Sequence, residues 1–193
     1  MLRIAVTGGI ACGKTEVGSV MANQGAVVFE CDEAAHKLME PGQKVYHRIL
    51  AQFSDDILDD HKKIDRSKLA ERVFADADDL SALNRIVHPE VKAVWRKWLN
   101  NQQSVAVIIM PLLYEAGEGE NWDAVVCVSS FEIKQIGRLK KRGISESGAR
   151  RRISAQMPVR KKAELADFVI SNNGAMKQLR AQTVRVWKII TES

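Results

Sequence analysis

The stretch Thr7–Glu16, TGGIACGKTE, sets three glycines and a lysine between the end of one apolar run and the start of an amphipathic one. Gly8, four residues, Gly13, Lys14 and Thr15 satisfy the spacing G-x-x-x-x-G-K-[ST]. Glycines at those places permit positive φ values and a close backbone approach, so that several N–H groups converge on one anion-sized hollow. The positive end of the helix that follows adds its field to theirs. In such a loop Lys14 is a mobile charge for the β and γ phosphates of a nucleotide, and Thr15 offers its hydroxyl to Mg²⁺. A glycine-rich turn that merely starts a helix is the plainer reading. The apolar strand before and the amphipathic segment after favour the phosphates, and binding of ATP or GTP is the firmest expectation from the residues alone.

Working outward from the loop, nearly continuous apolar runs recur at Arg3–Val6, Ala26–Phe29, Val105–Met110, Ala124–Val128 and Phe168–Ile170. Continuous rather than alternating runs are expected of strands covered on both faces, as in a parallel sheet. Between them lie helical stripes: Val17, Val20 and Met21, ended by Gly25; Ile86, Val87, Val91, Val94, Trp95 and Trp98, with Pro89 placed near the helix start; and Ile133, Ile136 and Leu139 behind a capping-box spacing at Ser129 and Glu132. Met176, Leu179, Thr183, Val186 and Ile190 mark a last helix. The alternation predicts an α/β fold, a doubly wound sheet of about five parallel strands. Residues 30–80 fit the rhythm less well and are expected to form a helical insertion after the second strand, within a single domain spanning 1–193.

Composition narrows the function classes. Apolar residues make up 46% and charged residues 27%, as in an ordinary globular chain, and no run approaches the roughly 20 apolar residues of a membrane span. A cytoplasmic protein without a membrane partner is expected. Cys12, Cys31 and Cys127 are too few and too irregularly spaced for a disulfide framework or a zinc site. The net charge of +5 is concentrated between Arg138 and Lys162, where ten basic residues face the single acid Glu146. Such a stretch suits a solvated helix face, a nucleic-acid patch or a cationic lid over phosphates. It lacks the interleaved aromatics that stack bases, so no nucleic-acid partner is expected, and Gly143 and Pro158 punctuate it as a lid over 135–162.

Nothing resembling a guanine-recognising N-K-x-D signature is present, nor an apolar strand ending directly in the Asp-Glu pair of many motor ATPases. The second strand instead runs into ECDEAAH, so Glu30 and Asp32 stand two apart and face the same way if the chain is still extended there. A carboxylate at a strand's carboxyl end can take the proton of an attacking hydroxyl, which typically speeds such a step by about 10²- to 10⁴-fold. Asp32 is the candidate base, with a helix N-cap as its plainer role.

Seven blocks, TGGIACGKTEV, VVFECDEAAHKL, LNRIVHPEV, IIMPLLYE, QIGRLKKR, RRRISAQM and ADFVISNNG, resemble in order and spacing the dephospho-CoA kinases, which move the ATP γ-phosphate to the ribose 3′-hydroxyl of dephospho-CoA. The resemblance runs from about Leu2 to Gly174. It implies an Mg²⁺-dependent kinase with ATP as co-substrate, a helical insertion that binds the acceptor, and a basic lid. It makes Asp32 the base and sets Gly9 and the segment Ala11, Cys12, Gly13, Lys14, Thr15 and Glu16 around the ATP phosphates. Arg138 and Arg142 match lid arginines that close over the phosphoryl groups, Asn173 the loop near the adenine, and His88, Leu112, Leu113 and Glu115 segments that line the acceptor site. Each has a plainer reading: His88 as a buried ring at a helix start, the leucines as packing, Glu115 as a surface charge. Glu30 stands where the family usually has an aspartate, and Cys12 where it has Ser or Gly. A thiol at a helix N-terminus beside a lysine is expected to ionise readily and to be alkylated unless ATP covers it. The rival readings are another small-molecule kinase, such as one acting on a nucleoside monophosphate, and a nucleotide-dependent nucleic-acid-binding module. A monomer or small homo-oligomer is expected.

Overall fold

A computed structural model describes residues 1–192. In chain order the elements are β1 (Arg3–Gly8), α1 (Lys14–Asn23), β2 (Val27–Glu30), α2 (Cys31–Leu38), α3 (Lys44–Phe53), a 3-10 turn (Asp55–Ile57), α4 (Arg66–Val73) and α5 (Ala77–Asn100). They are followed by β3 (Ala106–Ile109), β4 (Ala124–Ser129), α6 (Glu132–Lys140), α7 (Glu146–Ser154), α8 (Val159–Leu165), β5 (Phe168–Ser171) and α9 (Met176–Glu192). By its contacts the chain divides into two compact units, one made of Met1–Glu30 with the residues from Leu99 onward, the other of Cys31–Trp98.

The first unit holds one parallel sheet in the order β2-β3-β1-β4-β5, so all five strands read from the sequence are present. β1, β3 and β4 are buried almost throughout, whereas β2 and β5 are edges and only partly covered. That difference is what an inner and an outer position in a helix-covered sheet dictate. β1 lies between β3 and β4, so the strand order reverses at its carboxyl end, the place where ligands sit in open sheets of this kind. The core gathers Ile4 and Val6 of β1, Val17 and Met21 of α1, Val107 and Ile109 of β3, Val126 and Val128 of β4, and Leu179 and Trp187 of α9. Thr183, fully buried on α9, is satisfied by donating its hydroxyl to the Leu179 carbonyl at 2.8 Å.

Gly8 ends β1 at φ 135°, and a Cβ there would run into the Val128 carbonyl of β4. Only glycine lets the chain leave the sheet at that point while the strands stay paired.

The second unit is helical and runs on to Trp98. The reason is α5, one helix of 24 residues in which Pro89 lies inside and not near the start. Ile86, Val87, Val91 and Trp95 line its buried side, and packing of that stripe outweighs the one backbone bond a proline removes. Val45, Ile49 and Phe53 of α3 and Leu69 and Val73 of α4 are also buried. Arg72 of α4 caps α3 by donating to the Phe53 carbonyl at 2.8 Å, and its side chain also pairs with Asp79 at 3.0 Å. Asp65 caps α4, accepting from the amides of Ser67 and Lys68.

The capping box read at Ser129 and Glu132 does not form. Ser129 is the last residue of β4, and Phe131 precedes α6 with no cap from its own neighbourhood. The Phe131 amide donates instead to Asn173 Oδ1 at 2.7 Å, so the start of α6 is held from the loop after β5. Ile133 is 77% exposed and leaves the face on which Ile136 and Leu139 are buried.

Candidate active site

The loop between β1 and α1 is held open by side chains reaching it from behind. Gln135 Nε2 of α6 donates to the Ile10 carbonyl at 2.7 Å, and Arg138, one turn along the same helix, donates to the Ala11 carbonyl at 2.9 Å. Asn172 Nδ2, just past β5, donates to the Cys12 carbonyl at 2.7 Å. In a trans peptide the C=O of one residue and the N–H of the next point in opposite directions. Drawing three successive carbonyls one way therefore turns the amides of Ala11, Cys12 and Gly13 the other way, onto the concave side of the loop. The Cys12 amide shows the direction, since it donates at 3.2 Å to the Gly9 carbonyl, on which Lys14 Nζ also rests. Ala11 takes φ 57° and Gly13 φ 101° to make these turns. For Ala11 that is a strained conformation, and the ties on either side of it are what maintain it.

Lys14 lies at the first position of α1 and is buried, with Nζ 3.0 Å from the Gly8 carbonyl and 2.9 Å from the Gly9 carbonyl. Its ammonium thus stands on the concave side among the turned amides. Thr15 is exposed, and its hydroxyl lies 3.4 Å from Glu30 Oε2 at the end of β2. Gly9 packs so closely that a Cβ there would meet Gln135 Nε2 at 2.6 Å and Val159 at 2.8 Å. Glu16, expected beside the phosphates, is paired with Arg180 of α9 at 2.7 Å.

Cys12 departs from expectation. Its thiol is fully buried in the sheet core, and burial pushes its pKa up despite the opposing fields of Lys14 and Arg138. The side chain faces away from the hollow, and only the backbone of this residue belongs to the loop's concave face. Helix position and a neighbouring lysine suggest an activated thiol, but desolvation is the larger effect here.

Arg138 and Arg142, four apart on the sequence, part company in the structure. Arg138 is fastened to the Ala11 and Asn172 carbonyls and to Ser130 Oγ, at 2.9, 2.7 and 3.2 Å. Arg142, just beyond α6, is exposed. Asn173 spends its carboxamide on the Phe131 amide and on Ser171 Oγ. Leu113 is fully buried and Leu112 partly so, and Glu115 Oε1 accepts from Lys162 Nζ at 2.7 Å and from the Met157 amide at 2.9 Å. Lys162, read from the sequence as one of the lid's surface cations, is fully buried and also donates to the Pro111 carbonyl at 2.6 Å.

In the second unit Asp32 occupies the first turn of α2. Because the helix begins at Cys31, the chain is no longer extended between Glu30 and Asp32, and the two carboxylates are not held in alternating-strand register. Asp32 is also two residues too far along to be the cap, a place that falls to Glu30. His88 lies within α5, half-buried, with Ser81 and Asn84 along one groove of that helix. A tighter cavity of about 290 Å³ in the same unit is lined by His36, Glu40, Asp59, Lys63 and Arg66. There burial and the Arg66 guanidinium, 3.1 Å from the His36 ring, hold the imidazole below its usual pKa.

The model of the dephospho-CoA kinase family matches residues 2–178. The chain belongs to that family. A dephospho-CoA kinase of Oceanobacillus iheyensis is 38% identical over 97% of this chain and 98% of its own. Among solved structures, TT1252 from Thermus thermophilus is similar at a TM-score of 0.76 and 28% identity, covering 97% of each chain. The dephospho-CoA kinase from Campylobacter jejuni is similar at 0.64 and 26%, covering 99% of this chain and 98% of its own. In this chain the glycine-rich loop stands at the strand-order reversal, and no helix among the described residues is long and apolar enough to cross a membrane.

Gln135, Gln156 and Asn172 fall inside blocks of the family resemblance and Lys162 inside the basic stretch, but nothing in the sequence assigns any of them a part in shaping the loop. A glutamine on an amphipathic helix reads as a surface residue, and a lysine inside a basic run as one more exposed charge. Their roles follow from partners more than 45 positions away along the chain.

Proposed function

We propose that this protein transfers the γ-phosphoryl group of ATP to the ribose 3′-hydroxyl of dephospho-CoA, yielding CoA and ADP. The observation that carries the reading is the match of nearly the whole chain to the family model, together with a phosphate loop whose amides and lysine share one concave side. Those amides and the start of α1 bind the phosphates, and Lys14 supplies positive charge beside the transferring group, where charge spreads over three oxygens. Arg142, one of several exposed cations of the basic stretch, closes over the phosphates, while Arg138 acts from behind the loop. Asn173 serves the adenine end of the site.

Thr15 and Glu30 present two oxygen donors to one another, and among the described residues there is no cluster of three or more His, Cys, Asp or Glu. A site of this kind suits Mg²⁺, which keeps several waters and takes one or two protein oxygens along with substrate phosphates. When bound, the ion neutralises phosphate charge. Asp32 takes the proton of the 3′-hydroxyl as that oxygen attacks phosphorus and the bond to ADP breaks. His88, Leu112, Leu113 and Glu115 serve the acceptor side, Leu113 and Glu115 as parts of its supporting wall.

Incubation with ATP, Mg²⁺ and dephospho-CoA, followed by mass spectrometry, is expected to give CoA and ADP in equal amounts. ADP release supported by a nucleoside monophosphate and not by dephospho-CoA would overturn the assignment.

A further inference from the structure

One residue of the phosphate loop is gripped from two directions. Ile10 gives its amide to Gln156 Oε1 at 3.0 Å and receives Gln135 Nε2 on its carbonyl at 2.7 Å. Gln135 is buried on α6, and Gln156 lies in the short link between α7 and α8. The side chain of Ile10 packs in the same place, against Ile136, Leu139 and Ala149 with Ile144 and Ile153. The link is fixed one residue further on as well, where the Met157 amide donates to Glu115.

The two bonds act on different peptide planes. By holding the Ile10 N–H, Gln156 sets the plane that joins Gly9 to Ile10, whose carbonyl then points to the concave side. That carbonyl is one of the two on which Lys14 Nζ rests, at 2.9 Å. By holding the Ile10 carbonyl, Gln135 sets the next plane, whose N–H belongs to Ala11 and points to the concave side. Neither glutamine carries charge, and both stand behind the loop.

We propose that Gln135 and Gln156 are positioning residues for phosphoryl transfer, fixing the two peptide planes on either side of Ile10 so that Lys14 and the Ala11 amide face the phosphates of ATP. The proposal rests on the reading of this loop as the ATP site. It makes the α6–α8 arm a support of the phosphate loop, because the same arm supplies both glutamines. A side chain that fills space but makes no hydrogen bond at these places leaves the plane free to rotate.

The chemistry of the two bonds is opposite, and this gives the test. At 156 the protein needs an acceptor, at 135 a donor. Gln156→Glu keeps an acceptor oxygen, and Gln156→Met does not; Gln135→Glu sets a carboxylate against a carbonyl, and Gln135→Met only removes the donor. ATP affinity is measured by calorimetry without the acceptor, and kcat and KM for both substrates with it. Gln156→Met is expected to bind ATP about tenfold more weakly, the scale of one buried group left unsatisfied. Gln156→Glu is expected to stay closer to the parent than Gln156→Met, while at 135 the order reverses and Gln135→Glu is the worse. KM for dephospho-CoA is expected to hold within about twofold for every folded variant.

Added negative charge alone would make glutamate the worse choice at both positions, and lost volume alone would make glutamate and methionine equal at both. Either pattern would overturn the proposal, as would parent-like ATP affinity and kcat in Gln156→Met. Should Gln135→Glu fail to fold, as circular dichroism would reveal, the half-buried position 156 carries the comparison alone. If the parent protein takes up no ATP, the reading of the loop fails and the proposal with it; if it does and the variants match it, the positioning role alone fails.

Discussion

Cys12 and Lys14 are two residues apart in one loop and have opposite fates. The thiol is folded into the core, where burial raises its pKa, and Cys31 and Cys127 are likewise buried, pushed up to about 12 and about 11 by desolvation first. A raised thiol pKa means less thiolate at neutral pH, and burial denies the reagent access. The native protein is therefore expected to take up no iodoacetamide over an hour at pH 7.5, with or without ATP, and three equivalents once unfolded; peptide mapping that finds Cys12 labelled in the native state would contradict the burial. Lys14 is buried too, but against carbonyls on the concave side. Lys14→Ala is expected to lower turnover by about 10²-fold or more, the scale of losing one preorganised charge at a phosphoryl group, with the circular dichroism spectrum unchanged. Turnover within threefold of the parent would remove it from the mechanism.

At the scale of elements, α8 is fastened to the turn after β3 by an ion pair whose lysine end is buried. Lys162 is fully buried and bonded to Glu115 and to the Pro111 carbonyl, which also accepts from Thr7 Oγ1 of β1 at 3.3 Å. Breaking a pair buried on both sides by removing one partner costs about 3–5 kcal/mol, and here, where Glu115 still meets solvent, removing it leaves the Lys162 charge uncompensated at a cost of about 2–3 kcal/mol. Glu115→Leu is thus expected to destabilise the protein by about that amount in urea titration, and Glu115→Leu with Lys162→Met by clearly less. Equal losses in the single and double variants would show the two side chains to be energetically independent. The surface pairs Arg160–Glu164 and Arg150–Glu146, exposed on both sides, are expected to matter little by comparison. The element-scale misreading of α6 has the same origin as this pair. Its start is held by Asn173 from another loop, and capping-box spacing in Ser129–Glu132 carries no information about a partner 42 residues away.

Over the whole molecule, the phosphate loop belongs to one compact unit and Asp32 to the other. The role proposed for Asp32, that of base toward the acceptor hydroxyl, is separable from ATP binding by substitution. Asp32→Asn is expected to keep ATP affinity within about threefold in calorimetry while lowering kcat by about 10²-fold or more. A collapse of ATP affinity would instead tie Asp32 to the ion that accompanies the nucleotide.

The five strands, the glycine-rich turn between β1 and α1 and the helical character of the segment after β2 are legible in the residues alone. These are local properties: an unbroken apolar run, a glycine spacing and a helical stripe each constrain the chain within a few residues. The family was legible as well, since seven blocks in order are a property of the chain and not of its packing. Which way side chains and peptide planes turn is settled by assembly. Cys12 points into the core and the Cys12 carbonyl toward Asn172, Arg138 is spent on the Ala11 carbonyl, and Lys162 leaves the solvent for Glu115. A side chain's charge and helical position are the same whether it faces water or a carbonyl of a distant strand. Desolvation and the need to pair every buried polar group act only once the strands and helices are assembled, and those two effects set the final geometry of the loop.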